Sequence, residues 1–169
     1  MRTRRRIGLA LLAGLLGGAL GCNRQKPRLA PYSVIPCRHV HAAKTVQSTL
    51  KVATHPGGAV ATVEICNASS ADFALSPWEL PGLSDVGDVP QLNVDVFMFD
   101  PPEVRYAGIR TDGASSHGPK IHPGHCLMFS FELSRAYILP RKTPLTVAYA
   151  FRNEAGDRIP SNTVTFRLE

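Results

Sequence analysis

The sequence predicts an all-β protein, an antiparallel immunoglobulin-like β-sandwich of about seven strands, and three observations lead to this fold class. Apolar residues recur at a period of two, as in Leu127, Phe129 and Phe131, which is typical of half-buried strands. Turn-forming combinations of Gly, Pro and Asp separate the alternating runs. No segment shows the 3.6-residue apolar period that indicates an amphipathic helix.

The first 21 residues have the organisation of a secretory signal peptide. Four arginines among residues 1–6 precede an uncharged stretch of Leu, Ala, Gly and Ile that runs from Ile7 to Leu20. Fourteen helical residues rise only about 21 Å, which is less than the roughly 30 Å of a bilayer's hydrocarbon core. The stretch therefore predicts a cleaved signal rather than a transmembrane helix.

The signal ends in Gly18-Ala19-Leu20-Gly21-Cys22, which resembles the lipobox of bacterial lipoproteins, with Ala19 where leucine is commoner. The resemblance implies that the preceding peptide is removed and that acyl chains such as palmitate are attached to Cys22. Each buried methylene of those chains contributes about 0.8 kcal/mol to membrane binding. The alternative is an ordinary cleaved signal followed by an incidental cysteine. We expect a lipid anchor on the inner or outer membrane, with the domain outside the cytoplasm in the cell envelope.

The charge balance argues against a nucleic-acid partner. The chain has 19 Lys and Arg residues against 13 Asp and Glu residues, but four of the arginines lie in the signal peptide. Fifteen basic residues then remain against 13 acidic ones, and no basic cluster interleaved with aromatic residues follows Cys22. We therefore expect no nucleic-acid binding.

Residues 22–36 combine the lipidated cysteine with a polar stretch that contains three prolines, which predicts a flexible extended tether. The domain then spans 37–169, enough for one sizeable hydrophobic core. The alternating runs predict strands near 45–54, 59–67, 92–99, 103–109, 125–133, 144–151 and 161–168.

The longest irregular stretch, residues 68–91, contains the only tryptophan of the chain, Trp78. Loops of this length are usually functional or mobile. In one interpretation Trp78 and Leu80 fold back and cap one end of the sandwich. In the other, Trp78 lies in a partner-binding surface, because aromatic anchors contribute strongly to interfaces.

Several short segments also follow one another in an informative order. They are Ile65-Cys66-Asn67-Ala68-Ser69, Val104–Ile109, Ile121-His122-Pro123-Gly124, Phe129–Tyr137 and Leu145–Tyr149. Over residues 45–169 this order resembles the β-sandwich domain that precedes the catalytic domain of deuterolysin-like (peptidyl-Lys) metalloendopeptidases. The resemblance implies a β-sandwich fold. It implies no protease activity, because the catalytic zinc domain is absent and no histidine begins a His-Glu-x-x-His motif.

Three cysteines remain once Cys22 is assigned to the lipid: Cys37, Cys66 and Cys126. In an oxidising compartment we expect two of them to form one disulfide, which typically stabilises a domain by roughly 2–4 kcal/mol. Cys66 and Cys126 lie at strand ends and face away from the apolar row of their strands. Cys37 lies at the entry to the domain and can reach either of them, so the sequence leaves the pair open.

A metal site is an alternative use of the histidines. A possible ligand set is close in sequence: His117, His122, His125 and Cys126. His39 and His41 lie on one face of an extended segment and extend this set. Imidazole and thiolate bind copper and zinc well, but no spacing matches a specific site, and exposed histidines are the other interpretation. We expect no resident cofactor.

The sequence contains no Gly-x-Ser-x-Gly elbow, phosphate-binding loop or dinucleotide fingerprint, so we expect no enzymatic activity. These observations favour a membrane-tethered, non-catalytic module that binds an envelope protein or polymer. An inhibitor or an immunity protein would be examples of such a module. The alternatives are a copper- or zinc-binding lipoprotein, and an accessory domain of a separate protease, which follows only from the resemblance.

Overall fold

The computed structural model describes residues 28–29, 32–37, 45–75, 79–83, 90–92, 96–102, 104–110, 119–152 and 158–169. Within these ranges the protein is all-β, as predicted, with one short helix, α1 (Leu133–Ala136). The strands are β1 (Arg28–Leu29), β2 (Tyr32–Pro36), β3 (Val46–His55), β4 (Gly58–Asn67), β5 (Phe73–Ala74), β6 (Gly82–Leu83), β7 (Pro90–Leu92), β8 (Phe97–Asp100), β9 (Arg105–Tyr106), β10 (Ile109–Arg110), β11 (Lys120–Ile121), β12 (His125–Glu132), β13 (Tyr137–Ile138), β14 (Leu145–Arg152) and β15 (Arg158–Phe166).

The first main sheet has the strand order β2-β12-β4-β3, and all of its pairs are antiparallel. β3 and β4 form a hairpin through Pro56 and Gly57. The chain leaves this turn at Gly58, where a side chain would collide with the Ser134 hydroxyl, so the close approach requires glycine. The alternating apolar residues of β4 and β12 give the sheet one buried face.

The second main sheet has the order β15-β14-β8, again with antiparallel pairs. Its register shifts at a bulge between Ala148 and Ala150. At this bulge the backbone N–H of Tyr149 donates a hydrogen bond to the Ser161 hydroxyl at 3.0 Å. The serine therefore supplies the acceptor that the interrupted ladder does not, and the buried donor is satisfied.

The two main sheets pack against each other through one hydrophobic core, as in a β-sandwich. Phe131 of the first sheet stacks on Phe97 of the second with ring centroids 5.8 Å apart, and Phe129 meets Tyr149 edge to face at 5.7 Å. These residues belong to the alternating runs that predicted the strands, so the predicted fold class is confirmed. The specifically immunoglobulin-like topology stays a prediction.

Three smaller sheets complete the described structure, with the strand orders β1-β6-β7-β10, β11-β5 and β13-β9. Their pairs are antiparallel except for β7 and β10, which are parallel. The β5–β11 pair places Phe73 opposite Ile121 and thereby holds the turn that leads into β12. No helix among the described residues is long and apolar enough to cross a membrane.

The long predicted strands agree with the structure, whereas the boundary of the tether does not. β3, β4, β12, β14 and β15 correspond to predicted strands, and shorter strands replace the predicted ones near 92–99 and 103–109. Tyr32–Pro36, predicted to be flexible tether, is instead strand β2, paired with β12. Its partner lies about ninety residues further along the chain, so no local pattern could indicate the pairing. Arg28–Leu29, also within the predicted tether, pairs with β6.

Candidate functional site

Three neighbouring strands bring the three cysteines to one end of the first main sheet. Cys126, near the start of β12, lies directly opposite Cys66, near the end of β4. Cys37 follows β2, on the other side of β12, and its backbone N–H donates a hydrogen bond to the Gly124 carbonyl at 2.9 Å. This register places three sulfur atoms within 4.8 Å of one another.

The central position of Cys126 explains why the sequence could not fix the disulfide. Its sulfur lies within bonding reach of both Cys37 and Cys66. A sulfur atom forms only one disulfide, so the cluster holds one bridge and one thiol, and the predicted disulfide is confirmed in this form. The Cα atoms are 5.3 Å apart for Cys37–Cys126 and 4.0 Å apart for Cys66–Cys126. Only the first distance lies in the usual range of about 4.4–6.8 Å, which favours Cys37–Cys126.

The sulfur cluster lies on the outer face of the sheet, away from the main core. Leu127 and Ile65, the next residue in β12 and the preceding one in β4, point into the core, so Cys126 and Cys66 point to the opposite face. Cys126 is nevertheless fully buried and Cys66 is 6% exposed. Cys37 is partly exposed, and it is therefore the cysteine through which solvent approaches the cluster.

The turn His122-Pro123-Gly124-His125 leads into Cys126 and holds two of the predicted metal-binding histidines. The Nδ1 atom of His122 lies 2.9 Å from an Asp72 carboxylate oxygen, and that of His125 lies 3.1 Å from the Pro123 carbonyl oxygen. The two rings have their centroids 6.2 Å apart. In the described part of the chain, the ligand atoms grouped around the Cys126 sulfur are those of Cys37 and Cys66 rather than the imidazoles.

Asn67 supports this end of the sheet and was not identified from the sequence. It is fully buried, and its side-chain amide donates hydrogen bonds to the carbonyls of Ala71 and Ile121, each at 2.8 Å. Its side-chain oxygen accepts hydrogen bonds from the backbone and hydroxyl of Ser69, while its own carbonyl accepts one from Gly124. The Asn-x-Ser spacing is typical of an Asx turn and could have indicated this role.

The two edges of the first main sheet differ in how their backbone groups are satisfied. At the β3 edge, the Asn162 side chain accepts a hydrogen bond from the Leu50 N–H at 2.8 Å and donates one to the Leu50 carbonyl at 3.0 Å. Asn162 belongs to β15, so this bridge also joins the two main sheets. At the other edge, β2 pairs only with β12 among the described strands.

The outer edge of β2 presents both apolar side chains and backbone groups. Tyr32 and Val34 are 40% and 42% exposed. Along a strand, the N–H and C=O groups of successive residues point alternately to one side and to the other. The N–H of Cys37 points toward β12, where it bonds to Gly124. Tyr32 and Val34 are an odd number of residues from Cys37, so their backbone groups point away from β12. Pro36 belongs to the same outward series, where its missing N–H costs no ladder hydrogen bond.

A buried carboxylic acid, Glu79, was also missed by the sequence analysis. It is 4% exposed, and one carboxyl oxygen accepts a hydrogen bond from the Arg152 backbone N–H. Its backbone carbonyl accepts a hydrogen bond from the buried Tyr149 hydroxyl at 2.6 Å. Burial raises the pKa of Glu79 from 4.5 to about 7, despite the opposing effects of the Arg152 N–H and the Arg152 charge. These contacts fix Glu79 and the buried Leu80 against β14.

The chain matches no protein-family model and no curated protein. The lipobox and deuterolysin-like resemblances therefore stay predictions. Several predicted site residues lie outside the described ranges: Cys22, His39, His41, Trp78 and His117. The described residues that could act in binding are therefore the cysteine cluster and the open edge of β2, two features that meet at Cys37.

Proposed function

We propose that this protein is a lipid-anchored component of the bacterial cell envelope that binds a partner protein without catalysis. The partner contributes an extended segment that pairs with the outer edge of β2. The observation that carries this proposal is the contrast between the two edges of one sheet. Asn162 occupies the N–H and C=O groups of Leu50 in β3, whereas β2 presents outward groups beside exposed apolar side chains.

The side chains of β2 favour strand addition over a purely apolar contact. Tyr32 and Val34 lie in register with Phe129 and Leu127, which are buried, so the apolar row of the core continues to the surface at this edge. An added strand would form main-chain hydrogen bonds and would cover Tyr32 and Val34 with its own alternating side chains. Exposed edges are usually protected by charged residues or proline; β2 has the sequence Tyr-Ser-Val-Ile-Pro, contains no charged residue, and has its one proline, Pro36, at the end of the edge beyond Tyr32 and Val34.

The proposed lipid on Cys22 limits where the partner can be. Ten residue steps separate Cys22 from Tyr32, and an extended chain spans at most about 3.3–3.6 Å per residue. The open edge of β2 is therefore held within about 35 Å of the anchoring membrane. The partner's extended segment must therefore also lie within about 35 Å of the membrane, which favours a membrane-associated partner over a freely diffusing one.

The binding proposal is tested by selecting random ten-residue peptides against the purified full chain and measuring their affinities. Val34→Lys places a charge on the open edge and should weaken the selected peptides at least tenfold, because lysine opposes strand addition. Ile138→Lys is the matched control, since Ile138 is 63% exposed and lies in a different sheet. Equal affinities for the two variants would contradict binding at β2.

The lipid anchor is tested separately by metabolic labelling with radioactive palmitate in a bacterial host. The wild-type chain should incorporate label and sediment with membranes. Cys22→Ser should do neither, whereas Cys37→Ser should behave as wild type because Cys37 belongs to the sulfur cluster. Label that persists in Cys22→Ser would contradict lipidation at this residue.

A further inference from the structure

We propose that, once a dithiol or phosphine reductant has supplied the two electrons that convert the disulfide to two thiols and has itself been oxidised, Cys37, Cys66 and Cys126 form a three-coordinate thiolate site for Cu(I). Cu(I) binding at this cluster would be a second property of the chain, independent of the proposed strand addition at β2. The proposed ligands at this end of the sheet are therefore the three cysteines, and not the histidines considered from the sequence. The position, number and burial of the three sulfur atoms support this site.

The sulfur positions suit a three-coordinate ion. In a trigonal site with a metal–sulfur distance of about 2.3 Å, neighbouring sulfur atoms are about 4.0 Å apart. The three sulfur atoms here lie within 4.8 Å of one another, and each belongs to a different chain segment of one sheet end. The Cys126 sulfur lies within bonding reach of the other two, so in the reduced site its side chain must rotate away from them to admit an ion, while the strand register can stay as it is.

The number of ligands favours Cu(I) over zinc. Thiolates bind both ions, but structural zinc sites almost always have four protein ligands, whereas Cu(I) accepts a lower coordination number. Among the described residues, the cysteine sulfurs are the only group of three or more candidate ligand atoms. The Nδ1 atoms of His122 and His125 contact Asp72 and the Pro123 carbonyl, and among the described residues no imidazole nitrogen belongs to the group formed by the three sulfurs.

The burial of the cluster gives the site protection and a route of entry. Cys126 and Cys66 are shielded from solvent, while Cys37 is partly exposed at the end of the edge strand. An ion entering beside Cys37 reaches the two buried sulfurs directly. Each thiol that becomes a ligand releases its proton to solvent, so binding should strengthen as the pH rises.

The test uses the full chain with Cys22→Ser, which removes the fourth thiol, kept under a phosphine reductant without oxygen. Cu(I) is titrated in competition with a chromophoric Cu(I) chelator. We expect one Cu(I) per chain, and X-ray absorption should show three sulfur neighbours. Adding Cys126→Ser or Cys66→Ser should weaken binding at least 100-fold, and circular dichroism should report whether each variant retains the β fold.

Two further variants keep the proposal falsifiable if the buried substitutions unfold the domain. Cys37→Ser changes a partly exposed residue and should also weaken Cu(I) binding at least 100-fold. The His122→Ala/His125→Ala double variant should bind as the parent chain does. The proposal is overturned if Cys37→Ser retains the parent affinity, if the histidine variant loses it, or if X-ray absorption shows nitrogen neighbours.

Discussion

The buried carboxyl of Glu79 should make the stability of the protein depend on pH, and Glu79→Gln should remove that dependence. Burial raises the pKa of this group from 4.5 to about 7 in the folded protein. The folded state therefore binds the proton more tightly than the unfolded state does. The associated stabilisation is fully present below pH 4.5 and is lost as the pH rises through 7. Glutamine has the shape of the protonated acid and does not titrate.

The expected magnitude follows from the difference between the two pKa values. Each pKa unit corresponds to about 1.36 kcal/mol, so a rise from 4.5 to about 7 corresponds to about 3 kcal/mol lost on full ionisation. The Arg152 N–H that contacts one Glu79 carboxyl oxygen can also donate to a glutamine carbonyl. The other carboxyl oxygen is buried without a hydrogen-bond partner among the described residues, so an amide there meets similar surroundings.

The assay is urea unfolding of the wild-type chain and of Glu79→Gln at pH 5, 7 and 9, followed by the fluorescence of Trp78. At pH 5 the two proteins should differ by less than about 1 kcal/mol. At pH 9 the variant should be more stable than the wild type by about 3 kcal/mol. Comparing the two proteins at each pH cancels the titration of all other groups.

A constant difference between wild type and variant from pH 5 to pH 9 would refute this reasoning. It would mean that Glu79 ionises as easily in the folded protein as in the unfolded chain.

Three other predictions concern the cysteine end and the closed sheet edge. In air-oxidised chain carrying Cys22→Ser, a thiol assay should find one free thiol, two after Cys126→Ser and none after Cys37→Ser. Asn67→Ala should lower the free energy of unfolding by about 3 kcal/mol in urea, because it leaves several buried polar groups unpaired. Asn162→Ala should cost about 1–2 kcal/mol and should produce concentration-dependent dimers in analytical ultracentrifugation, because it opens the edge of β3.

Each of these predictions has a specific contrary result. No free thiol after Cys126→Ser would mean that Cys37 pairs with Cys66 and that Cys126 is not the shared partner. A loss below about 0.5 kcal/mol for Asn67→Ala would mean that water replaces its hydrogen bonds. A monomeric Asn162→Ala at all concentrations would mean that the edge of β3 is protected by something other than this side chain.

The features that could be predicted from the sequence are those that depend on the local alternation of apolar and polar residues. Leu127, Phe129 and Phe131 alternate with residues on the outer face, and this alternation alone identifies β12 and its buried side. It also predicted correctly that Cys66 and Cys126 face away from the apolar row of their strands. The same reasoning could not recover β2, since Tyr32 and Val34 are exposed and its proline, Pro36, is equally compatible with a free tether.

The features that the sequence did not predict depend on contacts between distant segments. Cys66 and Cys126 are 60 residues apart, and only the register of β4 against β12 shows that they are neighbours. A glutamate in an irregular segment gives no local sign of burial, so the raised pKa of Glu79 follows only from its packing against β14. Asn162 likewise acquires its role only because β15 crosses the edge of β3.

The most direct test of the central claim is site-specific photo-crosslinking in the cell that makes the protein. A photoreactive phenylalanine analogue replaces Val34 on the open edge of β2 or, in the control, Ile138 in β13. We expect a discrete membrane-associated adduct from position 34, none from position 138, and loss of the adduct when Cys22→Ser releases the chain from the membrane. Adducts of the same size from both positions, or none from position 34, would contradict strand addition at β2.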